Sequence, residues 1–409
     1  MLSRKAALLT LCFAGCAAPA APLDRSERAP IDASRTAEGS SRAAPPPTPR
    51  AVAAPPVDET RVWQPSRTRA VIAGVLRWED PSVTSFSPVD RKDAELAATL
   101  VARGVPKDRV RSLIDEAARG DAMLEAIASE ARAAEPGSTL IVYYAGHGAR
   151  AESGEISLLG YDAGAEGRVS MAAITSALEG FRGERVWLMA DCCHSGGLAE
   201  VAGALEARGV AAAALTSAEA SNTSTANWTF TQAVIDGLAG DGIADHDRDG
   251  HIELGELASE VRGAMKHREK QRAGVALGRV SAELALSEVS LPSPLRGGGD
   301  APAPGDYVEV PRRGGWVSAR VRERRGDVLA VELYDYAVKS IEHVPVGTVR
   351  PQRFERYEPG AALRVSWGGR TWDAEVLRVD DDFHLITYPG WSSWWDEWVA
   401  SDRVLGRRR

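Results

Sequence analysis

Two stretches of this chain hold residue types that can do nucleophilic chemistry. Met189-Ala-Asp-Cys-Cys-His-Ser-Gly-Gly197 closes an apolar run (Val186 to Ala190) with thiols on a polar, glycine-terminated turn, and Thr139 to Ala145 (TLIVYYA) runs into Gly146-His147-Gly148. A sulfur nucleophile needs partial exposure, a rigid support and a neighbouring base. Both runs read as buried strands, and neighbouring strands of one sheet would bring His147 and a cysteine together at their carboxyl ends. Singly, a cysteine is more often a small core residue and a histidine a hydrogen-bonded one. Their conjunction at two strand ends is what points to catalysis. His194 follows Cys193 along the backbone, so its side chain should project away, and it reads as structural.

A third stretch could hold a cation. Asp245-His-Asp-Arg-Asp-Gly-His-Ile-Glu-Leu-Gly-Glu256 fits D-x-D-x-D-G-x5-E throughout, with apolar Ile252 in the eighth place. Calcium takes carboxylates at places one, three and five (Asp245, Asp247, Asp249), a glycine at the sharp bend, the backbone carbonyl of His251 and a bidentate Glu256. Glu253 could bind through water. Phe230 to Leu238 and Leu254 to Lys266 can both be helical and would flank the loop. The competing reading is a solvated acidic turn. An unpaired loop should bind calcium weakly, at about 0.1 to 1 mM.

The elements that must position these groups alternate along the chain. Strands are expected over Arg69 to Leu76, Val110 to Ile114, Thr139 to Ala145 and Val186 to Ala190, and helices over Lys92 to Arg103, Asp121 to Ala134 and Met171 to Glu179. The pattern implies an α/β domain, a mostly parallel sheet flanked by helices, with turns at Gly104-Val-Pro106 and Pro136-Gly137.

On these residues the chain resembles the metacaspase branch of the caspase-like cysteine peptidases, in which YYxGHG supplies the histidine and DxCHSG the cysteine. YYAGHG and DCCHSG stand here. A cysteine with its histidine roughly 50 residues upstream is the caspase order, although the caspase motif itself is QAC[RQG]G. The resemblance runs from Thr68 to Leu286, through RAVIAGV, RKDAELAATLVARGV, GEISLLGYDA and FTQAVIDGL, within a domain read as 68–291. It implies His147 as general base, Cys193 as nucleophile and Cys192 at the variable position. It also implies an oxyanion hole from the N–H groups of Gly148 and Cys193. Asp93 and Asp191 would lie under the substrate side chain and favour Arg or Lys there. Asp191 could instead cap the following helix. Ala145 stands where that branch often has serine, so one polar pocket contact is missing. Calcium activation is common in the branch, though not through a loop of the present type; the expectation that calcium raises activity rests mainly on the loop itself.

At 409 residues, 44% of them hydrophobic and 26% charged, the chain reads as several soluble modules. A net charge of -8 argues against a nucleic-acid partner, and the three closing arginines read as a solvated tail. Residues 1–16 have a basic start, a short apolar core and Phe-Ala-Gly-Cys at the end, which resembles a bacterial lipoprotein signal with Cys16 carrying the lipid. Phe13 departs from the usual leucine, which leaves a secretory signal or an uncleaved leader open. The apolar run is too short to span a bilayer as a helix. Cleavage there would remove Cys12 and leave Cys192 and Cys193 as the thiols, and adjacent cysteines cannot staple a fold. Residues 17–60, rich in Ala, Pro, Ser and Arg, read as a disordered tether. The expected location is across the inner membrane, lipid-anchored, facing the periplasm or the exterior.

After a linker over 292–304 the character changes to short alternating strands, and an internal repeat appears from Gly305 and again from Gly360. Each copy, over 305–354 and 357–406, is the size of a small five-stranded SH3-like or Tudor-like barrel. The second ends in ITYPGWSSWWDEWV and resembles the chromo-barrel and Tudor group. That implies an aromatic cage of Trp372, Tyr388, Trp391 and Trp395 holding a methylated ammonium by cation–π attraction. Small barrels also use such rings as core. The first copy, with Trp316, Tyr334 and Tyr336, lacks the ending and reads as a weaker binder or spacer. Peptidoglycan, a substrate protein and the partner domain are all open as ligands.

Together these readings describe a membrane-tethered, calcium-influenced cysteine endopeptidase that cuts proteins or peptides after basic residues, with two modules for targeting. The competing reading is a catalytically idle caspase-fold scaffold that binds calcium and a partner through its barrels.

Overall fold

Strands without a polar interior can only be buried on both faces, and the computed structural model, which describes residues 61–164, 167–290, 301–312, 315–335 and 338–408, puts them at the centre of one sheet. The leader and tether read at 1–60 and most of the linker lie outside the described residues. In chain order the first half of the domain runs β1 (Thr68–Gly74), α1 (Lys92–Ala102), β2 (Val110–Ile114), α2 (Gly120–Arg132) and β3 (Thr139–Ala145). A small antiparallel sheet follows, β4 (Gly148–Arg150), β5 (Ile156–Leu159) and β6 (Arg168–Ser170), then α3 (Met171–Ala177) and β7 (Arg185–Asp191). The second half adds α4 (Leu198–Ala207), β8 (Ala211–Thr216), α5 (Thr229–Ala239), β9 (His251–Glu253), α6 (Leu254–Ala264), β10 (Gly274–Ala276) and β11 (Ala285–Glu288).

The central order is β10-β8-β7-β3-β1-β2, parallel except for the edge pair β10 and β8. The seven expected elements all form, with ends moved by one or two residues. The three-residue strands β4, β6, β9 and β10 were not expected, because so short a run has no readable period, and neither were β5, β8, β11 and α4.

Alternation divides the core into two layers. Leu140, Val142 and Tyr144 of β3 and Val186, Leu188 and Ala190 of β7 face α2, α3 and α4, whereas Ile141, Tyr143, Ala145, Trp187 and Met189 face α1, α5 and α6. The same count sends Cys192 into the first layer and Asp191 toward the second.

Two modules of identical topology follow. The first contains β12 (Tyr307–Arg312), β13 (Gly315–Arg325), β14 (Val328–Asp335), β15 (Val338–Pro345) and β16 (Arg350–Pro351), in the order β15-β14-β13-β12-β16. The second contains β17 (Ala362–Trp367), β18 (Arg370–Asp380), β19 (Phe383–Thr387), β20 (Glu397–Ala400) and β21 (Val404–Arg407), in the order β20-β19-β18-β17-β21. Each bends its long second strand at a bulge, between Val321 and Glu323 in one and between Val376 and Arg378 in the other, which lets five strands curl over a small core. The repeat read in the sequence is therefore a repeat of structure. Tyr336 of the first copy lies outside the described residues.

Both modules pack on the α/β domain through charge. Arg320 of β13 forks onto Glu260 of α6, Arg322 bonds Asp241, and Lys339 of β15 bonds Asp236 of α5. On the second module, Lys266 reaches Asp381 and Asp382, and Arg272 reaches Asp380.

Candidate active site

Parallel pairing of β3 with β7 makes Ala145 and Asp191 register partners, so His147 and Cys193 both stand two residues beyond the same rung. The two chains leave the sheet so close together that a Cβ on Gly148 would lie 1.7 Å from the Cys193 carbonyl oxygen. Glycine is needed there because nothing larger fits.

Cys192 is 2% exposed in the first core layer, and burial, followed by the Asp191 charge, pushes its thiol well above the ordinary range. A thiol so held is inert. Cys193 is half-buried; the Ser224 N–H donates to its Sγ at 3.2 Å, and Sγ lies 3.8 Å from the Ser224 carbonyl.

His147 is fixed from several sides. Its ring packs against both Trp78 (centroids 4.4 Å apart) and Phe86 (4.5 Å), which also touch each other, and its Nε2 lies 2.7 Å from the Thr84 carbonyl oxygen. A carbonyl only accepts, so Nε2 carries the proton and Nδ1 keeps a lone pair. The Tyr144 hydroxyl shares its proton between the carbonyls of His147 (2.9 Å) and Leu159 (2.8 Å), which ties the histidine backbone to β5. Burial lowers the imidazole pKa from its ordinary 6.5, against the pull of the Thr84 bond. The histidine is therefore a neutral base at neutral pH. His194 adopts a left-handed conformation (φ 57°), and its Nδ1 lies 2.9 Å from the Ala220 carbonyl oxygen.

Asp93 and Asp191 lie at the two ends of one row across the sheet, Gly74, Ala145, Asp191. Asp93 is fully buried against Gly74, where a Cβ would sit 1.6 Å from its Oδ2. Its charge is already met: Arg91 Nη2 lies 2.6 Å from Asp93 Oδ2 and Nη1 lies 2.6 Å from Asp115 Oδ2. Asp191 accepts from Thr231 Oγ1 at 2.6 Å, and Tyr143 in turn donates to Thr231 at 2.6 Å. Burial, opposed by these bonds, raises Asp191 to about 7. It sits at the first turn of α5, where the Thr231 N–H also reaches it at 3.4 Å, and not at the start of α4, the next helix along the chain.

The Asp245–Glu256 loop brings two overlapping oxygen sets together. Asp245, Asp247 and Asp249 offer atoms within 4.8 Å of one another, as do Asp247, Glu253 and Glu256. Gly250 takes the expected bend (φ 93°), and Asp245 accepts from Arg248 N–H (2.6 Å) and Gly250 N–H (3.2 Å). Burial and neighbouring carboxylates raise Glu253 to about 8, a repulsion that a divalent cation would relieve. An all-oxygen donor set of this charge fits a hard cation. The loop is not partnerless: β9 pairs with β11, a strand of the same domain and not a second calcium loop.

In the second module the four expected cage rings converge. Trp372 and Trp391 are 5.6 Å apart, Trp391 and Trp395 5.6 Å, and Trp372 and Tyr388 6.5 Å. Trp367, which the motif did not single out, joins them at 6.0 Å from Trp372 and 5.7 Å from Trp395. Trp78, Thr84, Phe86, Arg91 and Ser224 are further site residues that sequence reading missed; all lie on irregular segments, where no period marks them.

This sheet, its two core layers and the Cys–His edge define a caspase-fold protein. Residues 89–283 match the family model for the caspase domain. Similar solved structures include caspase-1 from Spodoptera frugiperda, at 15% identity over 58% of this chain and 91% of that one with a TM-score of 0.34. The Drosophila initiator caspase Dronc aligns at 11% identity over 53% and 82%, TM-score 0.35, and a Geobacter sulfurreducens protein at 15% over 55% and 99%, TM-score 0.39. No curated protein matches the sequence.

Proposed function

We propose that this chain is a cysteine endopeptidase that cuts protein substrates after arginine or lysine. His147 Nδ1 takes the thiol proton, Cys193 Sγ attacks the scissile carbonyl, and the N–H groups of Gly148 and Cys193 hold the oxyanion. Water, activated by the same imidazole, then releases the acyl group. The observation that carries this reading is the common rung of His147 and Cys193, with the imidazole locked by Thr84 in the tautomer a base needs.

The basic preference rests on charge. Around the Gly74 end of the row, Asp93, Asp115 and Glu116 face Arg91 and Arg77, three carboxylates against two guanidinium groups, and ionised Asp191 adds another negative charge. Calcium, held by Asp245, Asp247, Asp249, Glu256 and the His251 carbonyl, would order the α5–α6 pair beside the site and raise activity. The five rings of the second module suit a cationic ligand. A lipid on Cys16 would anchor the enzyme outside the inner membrane.

The test is an arginyl peptide substrate, under reductant and calcium, with the wild type, Cys193→Ala and Cys192→Ala. Cys193→Ala should lose roughly a thousandfold or more of the rate, while Cys192→Ala keeps it. No turnover by the wild type, or equal turnover by Cys193→Ala, would sink the reading.

A further inference from the structure

Residues 193–195 of the turn that carries the thiol are hydrogen-bonded to one loop, residues 217–224, and Gly196 packs closely against it. Cys193 Sγ takes the Ser224 N–H at 3.2 Å, the His194 N–H donates to the Asn222 carbonyl at 2.7 Å, and His194 Nδ1 meets the Ala220 carbonyl at 2.9 Å. Ser195 Oγ accepts the Ala218 N–H at 3.1 Å, and a Cβ on Gly196 would lie 2.4 Å from the Ala220 nitrogen. The loop in turn is held by the second C-terminal module. Asn222, 6% exposed, donates through Nδ2 to the Trp398 carbonyl at 2.6 Å and accepts the Trp398 N–H through Oδ1 at 3.2 Å. Its amide thus pairs with β20 as a strand neighbour would. A second tie is independent of the first: Arg272 bonds Glu219 of the loop at 2.8 Å and Asp380 of the module at 2.6 Å, with its guanidinium 4.3 Å from the Trp398 ring. The same module grips the other side of the site, where Arg150 Nη1 donates to the Trp394 carbonyl (3.1 Å) and Trp394 Nε1 donates to the Ala151 carbonyl (2.8 Å), just past His147.

We propose that Asn222 is a positioning residue for the Cys193 thiol, through which the second C-terminal module, 176 residues further along the chain, holds the Ser224 N–H against Sγ. The module is then a working part of the site as well as a domain that binds a ligand. An N–H aimed at sulfur favours the thiolate over the thiol, because the bond to the charged form is the stronger one. Releasing Asn222 frees the loop to drift, and the thiolate loses that donor. This inference deepens the peptidase reading and rests on Cys193 being its nucleophile.

The experiment uses the full-length protein and iodoacetamide, with alkylation of the Cys193 peptide followed by mass spectrometry from pH 5 to 9. Asn222→Ala should slow alkylation at pH 7 about tenfold and move the half-maximal pH upward, with the thermal melt recording the fold. Asn222→Asp keeps an acceptor for the Trp398 N–H but sets a buried carboxylate against the Trp398 carbonyl, so it should shift the profile at least as far as the alanine variant. It also carries the comparison should the alanine variant not fold. Arg150→Ala, which loosens only the other side, should leave the profile in place. A folded Asn222 variant with the wild-type profile would overturn the proposal. Alkylation needs no turnover, so a wild type that cuts no peptide would refute the peptidase reading and leave this outcome readable.

Discussion

The imidazole of His147 is packed against Trp78 and Phe86, and that burial sets where the site can work. Because its folded pKa lies below 6.5, the base stays neutral to lower pH than a free histidine, and the acid limb of kcat/KM should fall below 6.5. Phe86→Ala opens one ring face to water and should move the limb back toward 6.5; a wild-type limb at or above that value contradicts the assignment. The same depression makes the histidine contribute stability above 6.5 that is lost as pH falls through its lower folded value. Asp191 runs the other way. Raised to about 7 by burial, it is neutral below that pH, so the preference for an arginyl over an uncharged substrate should climb as pH rises through 7. Asp191→Asn should abolish the climb, and a preference that is flat with pH in the wild type would remove Asp191 from the pocket. The folded state binds a proton there that the unfolded chain has released between about 4 and 7, so Asp191 costs stability as pH rises across that interval. Much of this was legible beforehand: motif position chose Cys193 over Cys192, and strand alternation explains the choice by burying Cys192. Arg91 was not, since nothing in RKDA reveals that the arginine turns back onto the aspartate two residues later.

At the scale of elements, most of the long strands and helices were legible because each buries a periodic face; the alanine-rich α4 and β8 were not, since alanine gives little contrast between faces, and β9 and its partner β11 are set by tertiary pairing alone. That pairing bears on the calcium loop. The loop leaves α5 at Gly240, whose left-handed φ of 83° ends the helix, and β9 runs directly into α6, where Glu253 and Glu256 form a reciprocal cap. A cation that draws Glu256 inward therefore acts on the start of α6 and, through β11, on the end of the domain. Calcium at tenfold its Kd should stabilise the fold by about 1.4 kcal/mol, from mass action alone. The check is a thermal melt with calcium against chelator, alongside peptide cleavage under the same two conditions. Asp245→Asn with Asp249→Asn should remove the shift. Equal melts would refute binding, and a shift without a change in rate would reduce the loop to a structural brace.

For the whole molecule, the question is whether the C-terminal modules are tethered passengers or parts of one cooperative body, and sequence reading took them as separate units because their patterns end at a linker. Contact residues on a domain surface carry no period that would mark the partner they meet. The pair that decides it is Arg320 with Glu260, buried to 11% and 8% side-chain exposure where the first module meets α6. Burial alone would raise Glu260, yet Arg320 and His246 bring it down to about 2, so the carboxylate is ionised and committed to its partners. Removing Arg320 leaves the buried Glu260 carboxylate with only His246 opposite it, at up to about 3–5 kcal/mol, whereas replacing both members of the pair by apolar residues is close to neutral. Arg320→Met should therefore weaken docking by that amount and split a single calorimetric transition in two, and Glu260→Leu added to it should restore most of the loss. The Glu260 contribution is present above the ordinary 4.5 of a glutamate and fades as pH falls toward 2, so the split should also appear on acidification of the wild type. A single variant that melts like the wild type would mean that the first module is held by the chain alone, and that any influence it has on the site is a matter of proximity.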